Sequence, residues 1–146
     1  MADLTQTAAS FVPSASATIV YGTAGATIAA GQPVYEDTAD LDSFSRPKLK
    51  LADANGSSPA ALVNGVRGLA ANGAAAGQLL GVVVADPAVA HGLTGVVKGD
   101  IIILSATPGT LAPAADMATG MRPSVCLVAT STTLAVLSII NGGVAK

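Results

Sequence analysis

The sequence has no tryptophan, one cysteine and one histidine, and aromatic residues make up only 3% of it. The lone Cys126 permits no internal disulfide and no cysteine-based zinc site. The lone His91 excludes a histidine pair and most histidine-rich metal sites. Two Tyr and two Phe are too few and too scattered for a nucleic-acid stacking platform. Charge is equally thin. Asp, Glu, Lys and Arg together reach 11%, against about 25% in an ordinary soluble domain. A net charge of −2 gives no electrostatic reason to bind nucleic acid. Groups suited to acid–base or nucleophilic chemistry are correspondingly few, so the composition points away from an enzyme and toward a structural or assembly protein.

What the 146 residues do contain is aliphatic. Hydrophobic residues make up 51%, mostly Ala, Val, Leu and Ile, and the mean hydropathy is +0.60. Disordered chains are polar and charged, and this one is neither. The length fits a single domain with a core of its own. Residues 4–35 and 123–145 carry no charge and are long enough to span a bilayer as helices. Ser, Thr, Gly and Pro break up the first stretch, and Thr130 to Thr133 interrupt the second, so no membrane span is expected. Asp3 stands where a signal peptide needs basic residues, and synthesis in the cytoplasm is expected.

The periodicity is that of strands. Thr18 to Tyr21 is β-branched and aromatic, and Gln32 to Glu36 follows a second short apolar segment, Thr27-Ile28. Lys48-Leu49-Lys50-Leu51 alternates strictly, as a half-buried strand does. Gly65 to Ala70 is a weak strand. Leu79 to Ala85 and Ile101 to Leu104 are continuous apolar runs, as in strands covered on both faces. Ser124 to Ala129 and Thr133 to Ile140 form a closing hairpin, with Cys126 as a small core residue. Turn signals fall at Gly22 to Gly25, Asn55-Gly56, Asn72-Gly73, Pro87, Gly92 to Gly95, Pro108-Gly109 and Gly142-Gly143. Short helical turns are expected at Ser58 to Val63 and Ala112 to Ala118. An internal echo of Gly followed by a polar residue recurs at Gly31-Gln32, Gly77-Gln78 and Gly99-Asp100, each read as a tight turn with glycine at positive φ. The pattern predicts an all-β fold, a jelly-roll-like β-sandwich or small β-barrel, over residues 17–146.

Residues 1–16 are small and polar around a Phe11-Val12-Pro13 island, and are read as a flexible N-terminal arm with those three residues as partner-binding anchors. Glu36, Asp37, Asp40, Asp42, Arg46, Lys48 and Lys50 hold seven of the sixteen charges and are read as a solvated loop or contact surface. The three Asp lack the Gly and the closing Glu of a calcium loop, so no metal is expected. No Walker loop, dinucleotide fingerprint or catalytic triad is present, so neither a cofactor nor catalytic residues are expected.

Several segments resemble, in order, the small capsid decoration (cement or head-stabilising) proteins of tailed phages. These are Gly22 to Tyr35, Lys50 to Asn55, Gly68 to Gln78, Leu104 to Asp116 and Ala129 to Leu134. Residues 40–47 look like an insertion relative to that pattern, and Leu104 stands where relatives often carry Tyr. The resemblance implies a compact β fold without catalytic residues. It also implies a homo-oligomer, dimer or trimer, that binds the major capsid protein on the outer surface of the virion. Two other readings of the residues stay open: a different virion part, such as a head fibre or tail protein, and a carbohydrate-binding β-module.

Overall fold

The computed structural model describes residues 3–56 and 65–142. Nine strands lie among them: β1 Thr18–Thr23, β2 Pro33–Leu41, β3 Pro47–Leu51, β4 Gly68–Ala70, β5 Leu79–Ala90, β6 Ile101–Leu104, β7 Leu111–Pro113, β8 Ser124–Ala129 and β9 Leu134–Asn141. All pairings between them are antiparallel. They form one sheet in the order β3-β2-β4-β5-β9-β8-β6-β7, with β1 paired to β5 beside this path. The fold is all-β, and the sheet curls as a half-barrel. The expected turn at Ser58 to Val63 lies outside the described residues.

Strand β5 carries the architecture. Its apolar run is covered on both faces from Leu80 to Val83, as the sequence predicts, but the ends of the run, Leu79 and Ala85, are exposed. Val83 points into a large core with Tyr35, Leu69, Ile102, Ile103 and Leu127. Its neighbours Leu80 and Val82 point the other way, into a smaller core with Ala24, Ile28, Val34, Leu49 and Ala70. Because side chains alternate along a strand, adjacent residues of β2 (Val34, Tyr35) and β4 (Leu69, Ala70) divide in the same manner. The three strands are a shared wall between two cores.

Two seams draw the sheet's edges inward. Ala24, just past β1, bridges Leu49 of β3, and Gly25 N donates to Leu49 O at 2.7 Å. The path β1–β5–β4–β2–β3 therefore returns to its start around the smaller core. The other seam is the N-terminal segment. Leu4 N donates to Leu111 O of β7, Thr7 N donates to Gly92 O, and Val12 exchanges two backbone bonds with Ala90 of β5. Residues 4–14 are thus docked, and Phe11 is a member of the large core.

The internal echo is a single turn used repeatedly. Gly31, Gly77 and Gly99 have φ of 86°, 87° and 94°. In each, the side chain after the glycine accepts from the N–H that opens the turn: Ala29 N to Gln32 Oε1 at 2.9 Å, Ala75 N to Gln78 Oε1 at 2.8 Å and Val97 N to Asp100 Oδ2 at 2.9 Å. A fourth copy at Ala118 to Met121 uses the Met121 sulfur, 3.2 Å from Ala118 N, with Gly120 at φ 89°. The missing polar residue hid this copy in the sequence.

Three expectations are corrected. Pro87 does not end a strand. It sits inside β5 where the register with β9 shifts between Asp86 and Val89, a bulge that spares the ladder a donor proline lacks. Residues 112–118 are not a helical turn throughout: Leu111–Pro113 is strand β7, paired to β6, and only Ala114–Asp116 is a 3₁₀ turn. The charged segment is mostly strand, because β2 runs to Leu41 and β3 begins at Pro47, leaving a short connection.

Gly77→Ala should cost about 1–2 kcal/mol, the backbone penalty alone, because its Cβ would meet open space. Gly31→Ala should cost about 1 kcal/mol more. Its Cβ would fall 2.1 Å from Gln6 Nε2 and displace that amide from the His91 carbonyl, to which it donates at 3.1 Å. Urea unfolding of both variants checks the order, and equal losses would contradict the Gly31–Gln6 contact.

Candidate interaction surfaces

The three anchor residues of the N-terminal segment meet different fates. Phe11 is 4% exposed and buried in the large core, Val12 is 54% exposed, and Pro13 is half-buried. Only Val12 offers an apolar side chain to a partner while the segment is docked. Most of the bonds that dock it lie at the far end of β5, with another at Leu111 of β7, and these contacts join residues far apart in the chain that no sequence pattern marks.

The charges of hairpin β2–β3 are paired within it, except for Glu36, which pairs with Arg67 just before β4. Lys50 Nζ lies 2.8 Å from Asp37 and 2.9 Å from Asp40, Lys48 lies 2.9 Å from Asp40, and Arg67 lies 3.0 Å from Glu36. Hydrogen bonds from Lys50 and the Ala39 N–H hold the Asp37 carboxyl below its ordinary range, and the two carboxylates raise the Lys50 ammonium in turn. Asp42 organises the tip. It accepts from the N–H groups of Arg46 and Phe44, from the Arg46 guanidinium and from Thr23 Oγ1. The Arg46 and Phe44 N–H bonds bring its carboxyl down to about 2, against burial. Arg46 also lies 5.3 Å over the Phe44 ring, which is 77% exposed. The Asp carboxylates face cations rather than a common centre.

The third surface is apolar. Ile101 of β6 stands opposite Val128 of β8, and Val128 opposite Val136 of β9. These three neighbours are 46%, 40% and 38% exposed. Alternation along β9 places Leu134, 40% exposed, on the same face, and Ile140, 64% exposed, lies past the register shift between β8 and β9. Strands β6, β8 and β9 contain no charged residue. The sequence expectation that Ile101 to Leu104 is covered on both faces holds for Ile102, Ile103 and Leu104 but not for Ile101. Its apolar run marked the strand; only pairing order shows that nothing in the described chain covers this side.

The residues with reactive side chains are locked. Cys126 is fully buried, and desolvation pushes its thiol up to about 12. His91 is also fully buried. Its Nδ1 accepts from Leu93 N at 3.0 Å, and its Nε2 has no partner in good hydrogen-bond geometry, with the Ser131 backbone nearby. A cleft of about 200 Å³ beside β1 and β3 is lined by Tyr21, 63% exposed, with Glu36, Arg46 and Pro47. No group of three or more metal-ligating side chains occurs among the described residues, and no helix among them is long and apolar enough to cross a membrane.

No family model matches this chain, and no curated protein matches it either.

Asp42 stabilises the fold in its ionised form. That contribution is complete above the ordinary carboxyl value of 3.8 and is lost as pH falls toward about 2. Asp42→Asn should therefore lose less stability than the wild type between pH 4 and pH 2. Urea midpoints across that range check this, and parallel curves would contradict it.

Proposed function

We propose that this chain is a capsid decoration protein of a tailed phage. It binds the outer surface of the mature head as a dimer or trimer and bridges major capsid protein subunits. The observation that carries the reading is the uncharged apolar face around Ile101, Val128 and Val136, on a module whose ion pairs are gathered on a different hairpin. Exposed apolar surface of this kind marks association sites in soluble proteins. The ordered resemblance of residues 18–140 to decoration proteins supplies the partner. A protein that binds the assembled shell and not its dissociated subunits stabilises the shell by mass action, and many copies make modest contacts effective.

One observation favours a second reading, a carbohydrate-binding module. The exposed Tyr21 ring lies against Gly81, whose Cβ would be 3.1 Å from Tyr21 Cε1, in a cleft that Glu36 and Arg46 also line. An exposed ring flanked by a donor and an acceptor is suited to a sugar face.

Co-sedimentation of the purified protein with mature shells of its phage that lack it tests the first reading. Saturable binding at a copy number matching icosahedral symmetry sites is expected. Val128→Lys places a charge at the centre of the apolar face and should weaken occupancy at least tenfold, about 1.4 kcal/mol, with little change in thermal stability. Deleting residues 2–16 should also lower occupancy. No binding to intact, expanded shells would reject the capsid role, and binding of Tyr21-dependent polysaccharide instead would favour the second reading.

A further inference from the structure

The N-terminal segment lies over two buried titratable groups, one near each end of its contact with β5. Near one end is His91. Thr7 N donates to Gly92 O, Thr94 N donates to Thr5 O, and Gln6 Nε2 donates to His91 O. The fit is close: a Cβ on Gly92 would lie 2.7 Å from Thr7 O and 3.1 Å from Phe11 N. Near the other end is Asp86, 1% exposed, which accepts from Ser14 N at 2.7 Å, from the Ser14 hydroxyl and from Ala88 N.

We propose that residues 4–14 form an acid-released strap with His91 and Asp86 as its latches: as pH falls, the strap leaves the end of β5 and uncovers Phe11 together with a strand edge. The freed edge comprises Ala90 N and O, Gly92 O and Thr94 N, all of which the strap now satisfies. Such an edge pairs with another extended chain through backbone bonds. In this structure the chain blocks that edge with its own terminus.

The chemistry at each latch has a definite sign. While Nδ1 of His91 accepts from Leu93 N, the ring is neutral; protonating Nδ1 removes that acceptor and leaves a buried cation. Its surroundings are uncharged: Thr7 and Ser10 from the strap, Leu93 and Thr94 from its own loop, and residues 131–133 from the β8–β9 turn. Burial therefore holds the imidazole below 6.5, and the Ser131 backbone offsets only part of this. Opening the strap hydrates the ring, so opening takes up a proton as pH drops below 6.5. Asp86 meets Ser14 of the strap, Ala88 of its own bulge and, across the ladder, Leu137 of β9, none of them charged. Burial raises its carboxyl, but the Ser14 and Ala88 hydrogen bonds outweigh burial and hold it below 3.8. Its latch is closed above pH 3.8 and fails below that value. The two groups loosen the strap in sequence, His91 first.

This is a property of the isolated chain and does not rest on the capsid reading. Hydrogen exchange of the full chain from pH 7 to pH 3.5, expressed as protection factors, tests it. Protection at Thr7, Val12, Ala90 and Thr94 should fall by up to tenfold per pH unit below 6.5, one proton per opening, while the β8–β9 ladder stays protected. His91→Gln should abolish that slope and leave only the loss below pH 4, which Asp86→Asn should remove. In the wild type, the His91 ring resonances should titrate at the same midpoint as strap protection. This last measurement stands even if either variant fails to fold. Loss of strap and β8–β9 protection together, an unchanged slope in His91→Gln, or separate midpoints for ring and strap would each overturn the proposal.

Discussion

The structure depends on β5 being buried from both sides. Between Leu80 and Val83 this strand has a core on each side and no solvent face on which to place a polar side chain, so Leu80, Val82 and Val83 must all be apolar. That requirement sets the direction of every neighbour. Val34 and Tyr35 on β2, and Leu69 and Ala70 on β4, split between the cores because they share the pleat of β5. A one-residue slip of β5 would exchange the two side-chain sets and spoil both cores together. The high aliphatic content fits this geometry: the larger core holds only Phe11 and Tyr35 as aromatics, and the smaller core holds none.

A second constraint is how so uncharged a chain manages its polar groups. Turn N–H groups are met by the side chain that follows each glycine, so four connections close without a charged pair except at Asp100. Seven of the sixteen charges lie on the β2–β3 hairpin, where Asp37, Asp40, Asp42, Arg46, Lys48 and Lys50 satisfy one another. The face of β6, β8 and β9 is left apolar and uncovered, and the terminal segment seals the far end of β5. One feature is an open apolar surface, and the other is a strand edge closed by the chain itself.

Most of the strands were legible in the residues. Lys48 to Leu51 has the alternation of a half-buried strand, and its leucines do face the smaller core while its lysines meet Asp37 and Asp40. The echo at Gly31, Gly77 and Gly99 predicted positive φ because only glycine enters that region without strain. Errors arose where a local signal was overruled by pairing. Pro87 is a strand breaker by itself, yet a bulge lets β5 pass through it. Leu111 to Pro113 is too short to show a period, and β6 makes it a strand. The candidate surfaces were less legible. Phe11 looked like an exposed anchor because its flanks are small and polar, and the apolar face could not be distinguished from core.

The sequence alone determined the class of fold, the position of most strands, the conformation of the glycine turns and the poverty of reactive groups. These follow from side-chain period two and from backbone sterics, which act over a few residues. Only the tertiary structure decided that Phe11 enters the core, that His91 and Asp86 lie beneath the N-terminal segment, and that Ile101, Val128 and Val136 share one open face. Each of these depends on contacts between residues far apart in the chain, and burial is set by which strands become neighbours rather than by any side chain's own hydrophobicity.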